Sequence, residues 1–152
     1  MIEKNLKNII SEKSIQLGFD KIGFANPKEN IDPNKYLNQW IESKHHGTMN
    51  WMELRKEERA DIFNYFPEVQ TVISLAFNYF TKRSSEFSKD YNSEIKFSNY
   101  AWGDDYHSII KKKLYNIKNE ILKHDPSIKI ILCVDTAPIM EKQWAQKAGI
   151  GW

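Results

Sequence analysis

Apolar side chains at Ile2, Leu6, Ile9, Ile10 and Leu17 lie close to one helical face, and Gly18 stands where such a helix ends. Lys21–Ala25 then predicts a short strand. Pro33 can occupy the first turn of a second helix, with Tyr36, Leu37, Trp40 and Ile41 on its apolar face and His45-His46-Gly47 closing it. A charged helix is expected over residues 51–63. Pro67 breaks the chain before residues 71–80, whose β-branched and aromatic content predicts a buried strand. Residues 82–93 are Ser, Lys, Glu and Asp with little periodicity, the pattern of a mobile loop. Asp104 is placed to cap a long helix with apolar positions Ile109, Ile110, Leu114, Ile117 and Ile121, ending at Pro126. Residues 128–134 form the strongest strand pattern in the chain, and a last helix is expected over 139–148.

Strands alternating with helices predict an α/β (α+β) fold, with a layered sheet flanked by helices rather than a bundle. At 152 residues the chain fits one domain spanning 1–152, and 41% apolar content with five Trp is globular composition. Lys plus Arg is 22 against 20 acidic residues, with only three Arg (Arg55, Arg59 and Arg83). A net charge of +2 neither demands nor excludes a polyanionic partner. The single cysteine, Cys133, makes no intrachain disulfide and no zinc or iron–sulfur site. With no apolar run of membrane-spanning length, no membrane association is expected and a cytoplasmic location is the default.

Chemistry concentrates in two stretches. In Cys133-Val134-Asp135-Thr136-Ala137-Pro138-Ile139-Met140-Glu141, Asp135 is expected at the end of a buried strand, where α/β folds place ligands. Part-burial there would raise its pKa for proton delivery. The competing reading is that Asp135 caps the following helix. In Tyr100-Ala101-Trp102-Gly103-Asp104-Asp105-Tyr106-His107, Tyr106 and His107 project from the first helical turn, where they either meet a ligand or simply pack beside a cap. His45 and His46 are adjacent, so their side chains diverge and no metal site is expected. Lys111, Lys112 and Lys113 are expected on a solvated face, and Gly149-Ile150-Gly151 as a helix C-cap.

Taken in order, these pieces resemble the epoxyqueuosine reductase family. The matching blocks are the Asp20–Phe24 strand, Glu58-Arg59-x-Asp61, a Pro before a strand carrying Asn-Tyr, Gly103-x-Asp-Tyr106-His107, and Val134-Asp135-Thr136 leading through Glu141 to Ala148-Gly149-Ile150-Gly151-Trp152. The resemblance spans nearly the whole chain. It implies a cobalamin-binding catalytic domain, similar in fold to cobalamin-processing and reductive dehalogenase domains, that removes the epoxide oxygen of epoxyqueuosine in tRNA. It implies electrons from an external donor, delivered through 4Fe-4S clusters in a following ferredoxin-like region. By position, Asp135 is implied as proton donor and cobalamin contact, Arg59 and Ser98 as further cobalamin contacts, and Tyr106 and His107 as substrate-binding residues lining the active site. Asn99 stands where some relatives carry Arg. The sequence stops at Trp152, where the family continues into the cluster cysteines, so an incomplete, inactive monomeric fragment is expected.

Two other classes compete. One is a corrinoid- or flavin-binding carrier or processing module without tRNA chemistry. The other is a structural or RNA-docking domain, against which the low net charge argues.

Overall fold

The computed structural model describes residues 5–28, 34–80 and 98–152. The loop expected at 82–93, Pro33, and the first helix's residues before Asn5 lie outside them. The chain divides into two units, one of Met1–Asp20 with Phe77–Val134, the other of Lys21–Ala76 with Asp135–Trp152.

In the first unit, α1 (Leu6–Gln16) packs on α6 (Tyr106–His124). Asn5 starts α1 by accepting the Lys7 amide at 3.1 Å. The helix ends in a Schellman motif. Gly18 takes φ 84°, its N–H reaching the Ile15 carbonyl at 2.9 Å while that of Phe19 reaches Ser14 at 3.1 Å. Ile10 on α1 and Leu114, Ile117 and Ile121 on α6 are buried at helical spacing, as the periodicity requires. Ser14 sits among them because its hydroxyl donates to the Ile10 carbonyl at 2.8 Å.

Lys113 departs from the expected solvated face. Its stem is part-buried, its ammonium donates to the Leu17 carbonyl, and it lies 5.2 Å from the centroid of the Phe77 ring. The charge thus satisfies a carbonyl at the end of α1. Lys113→Met keeps the stem and removes the charge, and is expected to cost about 1–2 kcal/mol. A urea midpoint equal to that of the parent chain would show that this contact contributes nothing.

Two further expectations are corrected in this unit. The cap of α6 is Asp105, not Asp104, because the Asp105 carboxylate accepts the His107 amide at 3.0 Å. Residues 128–134 form no strand among the described residues. Burial along them is uneven, with Val134 buried and Ile131 exposed. An apolar β-branched run reports a preference for burial, and a ladder also needs a paired neighbour. The layered mixed sheet is therefore reduced, among the described residues, to two antiparallel strands, and the class is α+β.

Those strands belong to the second unit. β1 (Lys21–Ala25) pairs with β2 (Val72–Ala76), in register from Lys21↔Ala76 to Ala25↔Val72. The short helix α7 (Glu141–Lys147) packs against both strands. It closes in a second Schellman motif, with Gly149 at φ 76°, its N–H on the Gln146 carbonyl and the Ile150 N–H on Ala145. The sheet meets this helix end at Gly23, where a Cβ would lie 2.2 Å from the Ala148 carbonyl oxygen. Trp144 of α7 and Leu37 and Ile41 of α2 (Asn34–Glu42) are among the buried apolar residues of this unit.

The charged helix expected over 51–63 is three pieces, α3 (Asn50–Leu54), α4 (Lys56–Ala60) and α5 (Ile62–Tyr65). The second break has a clear cause. Asp61 turns extended (φ −141°, ψ 117°) and its carboxylate accepts the Phe63 amide at 2.9 Å, so it starts a new helix instead of continuing the old one.

Candidate active site

The residues singled out by sequence are divided between the units. Arg59 and Asp135 belong to the second; Ser98, Tyr106 and His107 belong to the first. Each group is built by local structure.

Asp135 lies in the irregular turn between residue 134 and α7, exposed, with φ 59°. That left-handed conformation is uncommon for a residue with a side chain, although Asp tolerates it better than most. Its backbone is held by α7. Glu141, in the first turn of α7, accepts the Asp135 amide on Oε1 at 2.8 Å, and Pro138 in the same turn is fully buried. This differs from both sequence readings. The carboxyl does not end a buried strand, and the part-burial expected for it is absent. Nor does Asp135 cap α7, whose N-cap is Met140 without a side-chain bond. The capping direction is reversed: a glutamate on the helix holds the backbone of Asp135.

Arg59 is buried, at 6% exposure, although charged. Its guanidinium donates from Nη1 to the Arg55 carbonyl at 3.1 Å and lies 5.1 Å from the centroid of the Trp51 ring. Burial, then the repulsion of Arg55, lowers its pKa, partly opposed by Glu58; a guanidinium starts so high that it stays charged at neutral pH. Arg55 occupies the break between α3 and α4, where its Nε donates to Glu58 Oε1 at 3.1 Å and its guanidinium lies 5.7 Å from the Tyr65 ring.

In the first unit, exposed Ser98 precedes a 3-10 turn, Asn99–Ala101, and caps it with its carbonyl rather than its hydroxyl. Aromatic rings then follow one another. Tyr79 meets Tyr100 edge-on at 5.9 Å, Tyr100 meets Tyr106 edge-on at 5.6 Å, and Tyr106 stacks on His107 at 4.0 Å. The His107 ring is pinned from its other end, with Nδ1 2.8 Å from Asp105 Oδ1. Sequence reasoning marked Asp105 only as a helix-start charge, and Tyr79 only within the Asn-Tyr block of the resemblance and not as part of this run of rings. Ring-to-ring contact over 21 or more residues leaves no periodic signal, whereas the i, i+2 spacing of Asp105 and His107 was a usable one.

The adjacent histidines diverge as expected. His45 is exposed and His46 is buried against Trp40, its Nε2 3.9 Å from Glu53 Oε2 and its Nδ1 without a hydrogen-bond partner. Among the described residues no three His, Cys, Asp or Glu side chains are grouped to hold a metal, and no helix is long and apolar enough to cross a membrane.

Four carboxyls, Asp105 and Asp125 exposed and Glu58 and Glu120 half-buried, are held below the usual carboxylate range. Hydrogen bonds from the His107 ring and amide lower Asp105, and backbone and Arg55 bonds lower Glu58. Lys123 lowers Glu120, and the Ser127 hydroxyl and amide lower Asp125. A carboxyl lowered on folding stabilises the fold above its unfolded pKa, and that contribution is lost as pH falls through the folded value. The urea midpoint is therefore expected to hold steady through neutral pH and to fall below the ordinary carboxylate range, with each exposed group contributing little. A midpoint insensitive to acid would contradict these four bonds.

Comparison with known proteins gives a consistent family. Residues 59–136, just over half of the chain, match the family model described as epoxyqueuosine reductase QueG, DUF1730. A relative from Atelocyanobacterium thalassa, named epoxyqueuosine reductase, is 38% identical across 94% of this chain and 45% of its own length. One of the same name from Prochlorococcus marinus is 34% identical across 97% and 46%. The solved epoxyqueuosine reductase of Streptococcus thermophilus superposes with a TM-score of 0.71 at 24% identity, covering 98% of this chain and 40% of that one. The likeness to that structure is one of fold. The chain spans less than half the length of these relatives.

Proposed function

Because this chain belongs to the epoxyqueuosine reductase family, we propose that it is the cobalamin-binding catalytic part, 1–152, of an oxidoreductase that reduces epoxyqueuosine to queuosine in tRNA. The observation that carries the reading is Asp135, an acid in a left-handed turn with its amide clamped by Glu141. Uncommon backbone held by its surroundings is characteristic of functional positions. It is also the residue that the sequence resemblance implies as the acid. Its exposure leaves it accessible to a proton acceptor, and the clamp fixes its backbone while the carboxyl acts.

The residues present suit the cofactor. A corrinoid's rim offers amide carbonyls and a phosphate, all acceptors, and Arg59 is a donor with five N–H groups, held by the Arg55 carbonyl and the Trp51 face. The Ser98 hydroxyl adds an exposed donor or acceptor. Cobalamin, when bound, would supply the reduced metal that opens the epoxide. The chain's own work is then binding through Arg59 and Ser98, substrate contact through Tyr106 and His107, and proton delivery from the Asp135 carboxyl to the oxygen of the opened ring. These residues contain one cysteine, so 4Fe-4S clusters would be held by sequence outside them. The tRNA, the electron donor, the monomeric state and the cytoplasmic location belong to the same proposal.

Titration of the purified chain with cob(II)alamin, followed by absorbance and electron paramagnetic resonance, tests the reading. Saturable binding with an altered cobalt signal is expected. A folded chain that leaves the signal unchanged would sink the cofactor assignment for these residues, and saturable binding of flavin instead would favour the carrier reading.

A further inference from the structure

We infer that Asp105 is a positioning residue that fixes His107 as the Nδ1–H tautomer, making Nε2 the accepting nitrogen of the ring. Four contacts carry this. Asp105 Oδ1 lies 2.8 Å from His107 Nδ1 and accepts the His107 amide at 3.0 Å, so one carboxylate oxygen locates backbone and ring together. The Ser108 hydroxyl reaches Oδ2 at 3.4 Å. Tyr106 stacks on the same imidazole at 4.0 Å and 30°, which fixes the plane of the ring. An ionised carboxylate only accepts, so the nitrogen facing it carries the proton. In neutral imidazole the proton on one nitrogen leaves the other as acceptor, and the hydrogen bond made by the first decides which.

The consequence is chemical selectivity. In the neutral ring Nε2 is then the accepting nitrogen, so a group that meets it there must donate, as a hydroxyl or an amine N–H does and a carbonyl or a phosphate oxygen does not. This deepens the proposed function and rests on it in one respect, that His107 meets the substrate.

The tautomer is readable without turnover, from the ring nitrogen shifts of the 15N-labelled chain at a pH where His107 is neutral, with His45, His46 and His124 as internal references. Protonated Nδ1 and pyridine-like Nε2 are expected. In Asp105→Ser the hydroxyl still caps α6 but is too short to hold the ring, so the protonated nitrogen should change to Nε2 while helical circular dichroism is unchanged. A parent chain with Nε2 protonated, or a tautomer unchanged in Asp105→Ser, overturns the inference. In an enzyme of the relatives' full length carrying these residues, Asp105→Ser should lower kcat/KM about tenfold to a hundredfold, and the double variant with His107→Gln should be no worse than His107→Gln alone. Additive losses overturn the positioning role. Full activity in both single variants overturns the substrate contact itself, and the nitrogen shifts tell that failure apart from a wrong tautomer.

Discussion

Gly23→Ala is expected to destabilise the protein by about 3 kcal/mol, a large share of the ~5–15 kcal/mol that holds a typical domain folded. The new methyl would lie 2.2 Å from the Ala148 carbonyl oxygen, 2.8 Å from its Cβ and 2.9 Å from its carbonyl carbon. Two of those three atoms are backbone, at the C-terminus of α7, so no rotamer change relieves the contact. Either α7 lifts from the sheet or β1 shifts against β2, where Gly23 is paired with Ser74. The usual gain from replacing glycine, about 0.4–1 kcal/mol from a stiffer unfolded chain, is too small to compensate. Gly103→Ala is the control, because nothing lies within 4 Å of its Cβ position. Urea denaturation of the three proteins decides the matter. A Gly23→Ala midpoint that coincides with that of Gly103→Ala would mean that α7 does not seat on β1 as described.

Asp135→Asn carries the largest expected effect on activity. In an enzyme of the relatives' full length, epoxide reduction should fall about 10²- to 10⁴-fold, the usual contribution of a positioned proton donor. Asparagine is the informative replacement. It tolerates the left-handed backbone as aspartate does, keeps the amide that Glu141 accepts, and differs by little more than the acidic proton. Binding of cob(II)alamin and thermal stability should therefore match the parent, leaving the chemical step as the thing changed. Turnover within a few-fold of the parent would remove Asp135 from the reaction and favour a carrier role. Glu141→Gln is expected to be milder, because an amide oxygen still accepts from the Asp135 N–H.

The sequence revealed local features and missed those that depend on pairing. The stripes of α1 and α6 were legible because helical periodicity reports the buried face directly, and Ile10, Leu114, Ile117 and Ile121 are buried as that predicts. β1 was legible to the residue, bounded by Gly18 and the polar residue after Ala25. Residues 128–134 carry a stronger strand composition than β1 yet form no strand, since composition cannot reveal whether a partner is present. Between Asp104 and Asp105, the choice of cap depends on which carboxylate reaches the His107 amide, a difference of backbone angle and not of residue type. Of the candidate site, residue identities were readable and environments were not. Arg59 gave no sign of its burial beside Trp51, nor Asp135 of its positive φ, because both arise from contacts made after the helices break and turn.

The division of the chain has a consequence for how the protein comes off the ribosome. The polypeptide leaves the first unit after Asp20, returns at Phe77 and leaves again after Val134, so each unit is assembled from two distant stretches. α1 is synthesised roughly ninety residues before the α6 face that covers it, and β1 waits some fifty residues for β2. The Gly23 side of the sheet stays bare until α7 emerges, well over fifty residues after β2. Contacts so far apart in sequence slow folding and lengthen the time that apolar surface is exposed. A nascent chain stalled before residue 141 would thus present the Gly23 side of the sheet uncovered, and should be held by chaperones far longer than one stalled after α7 has emerged.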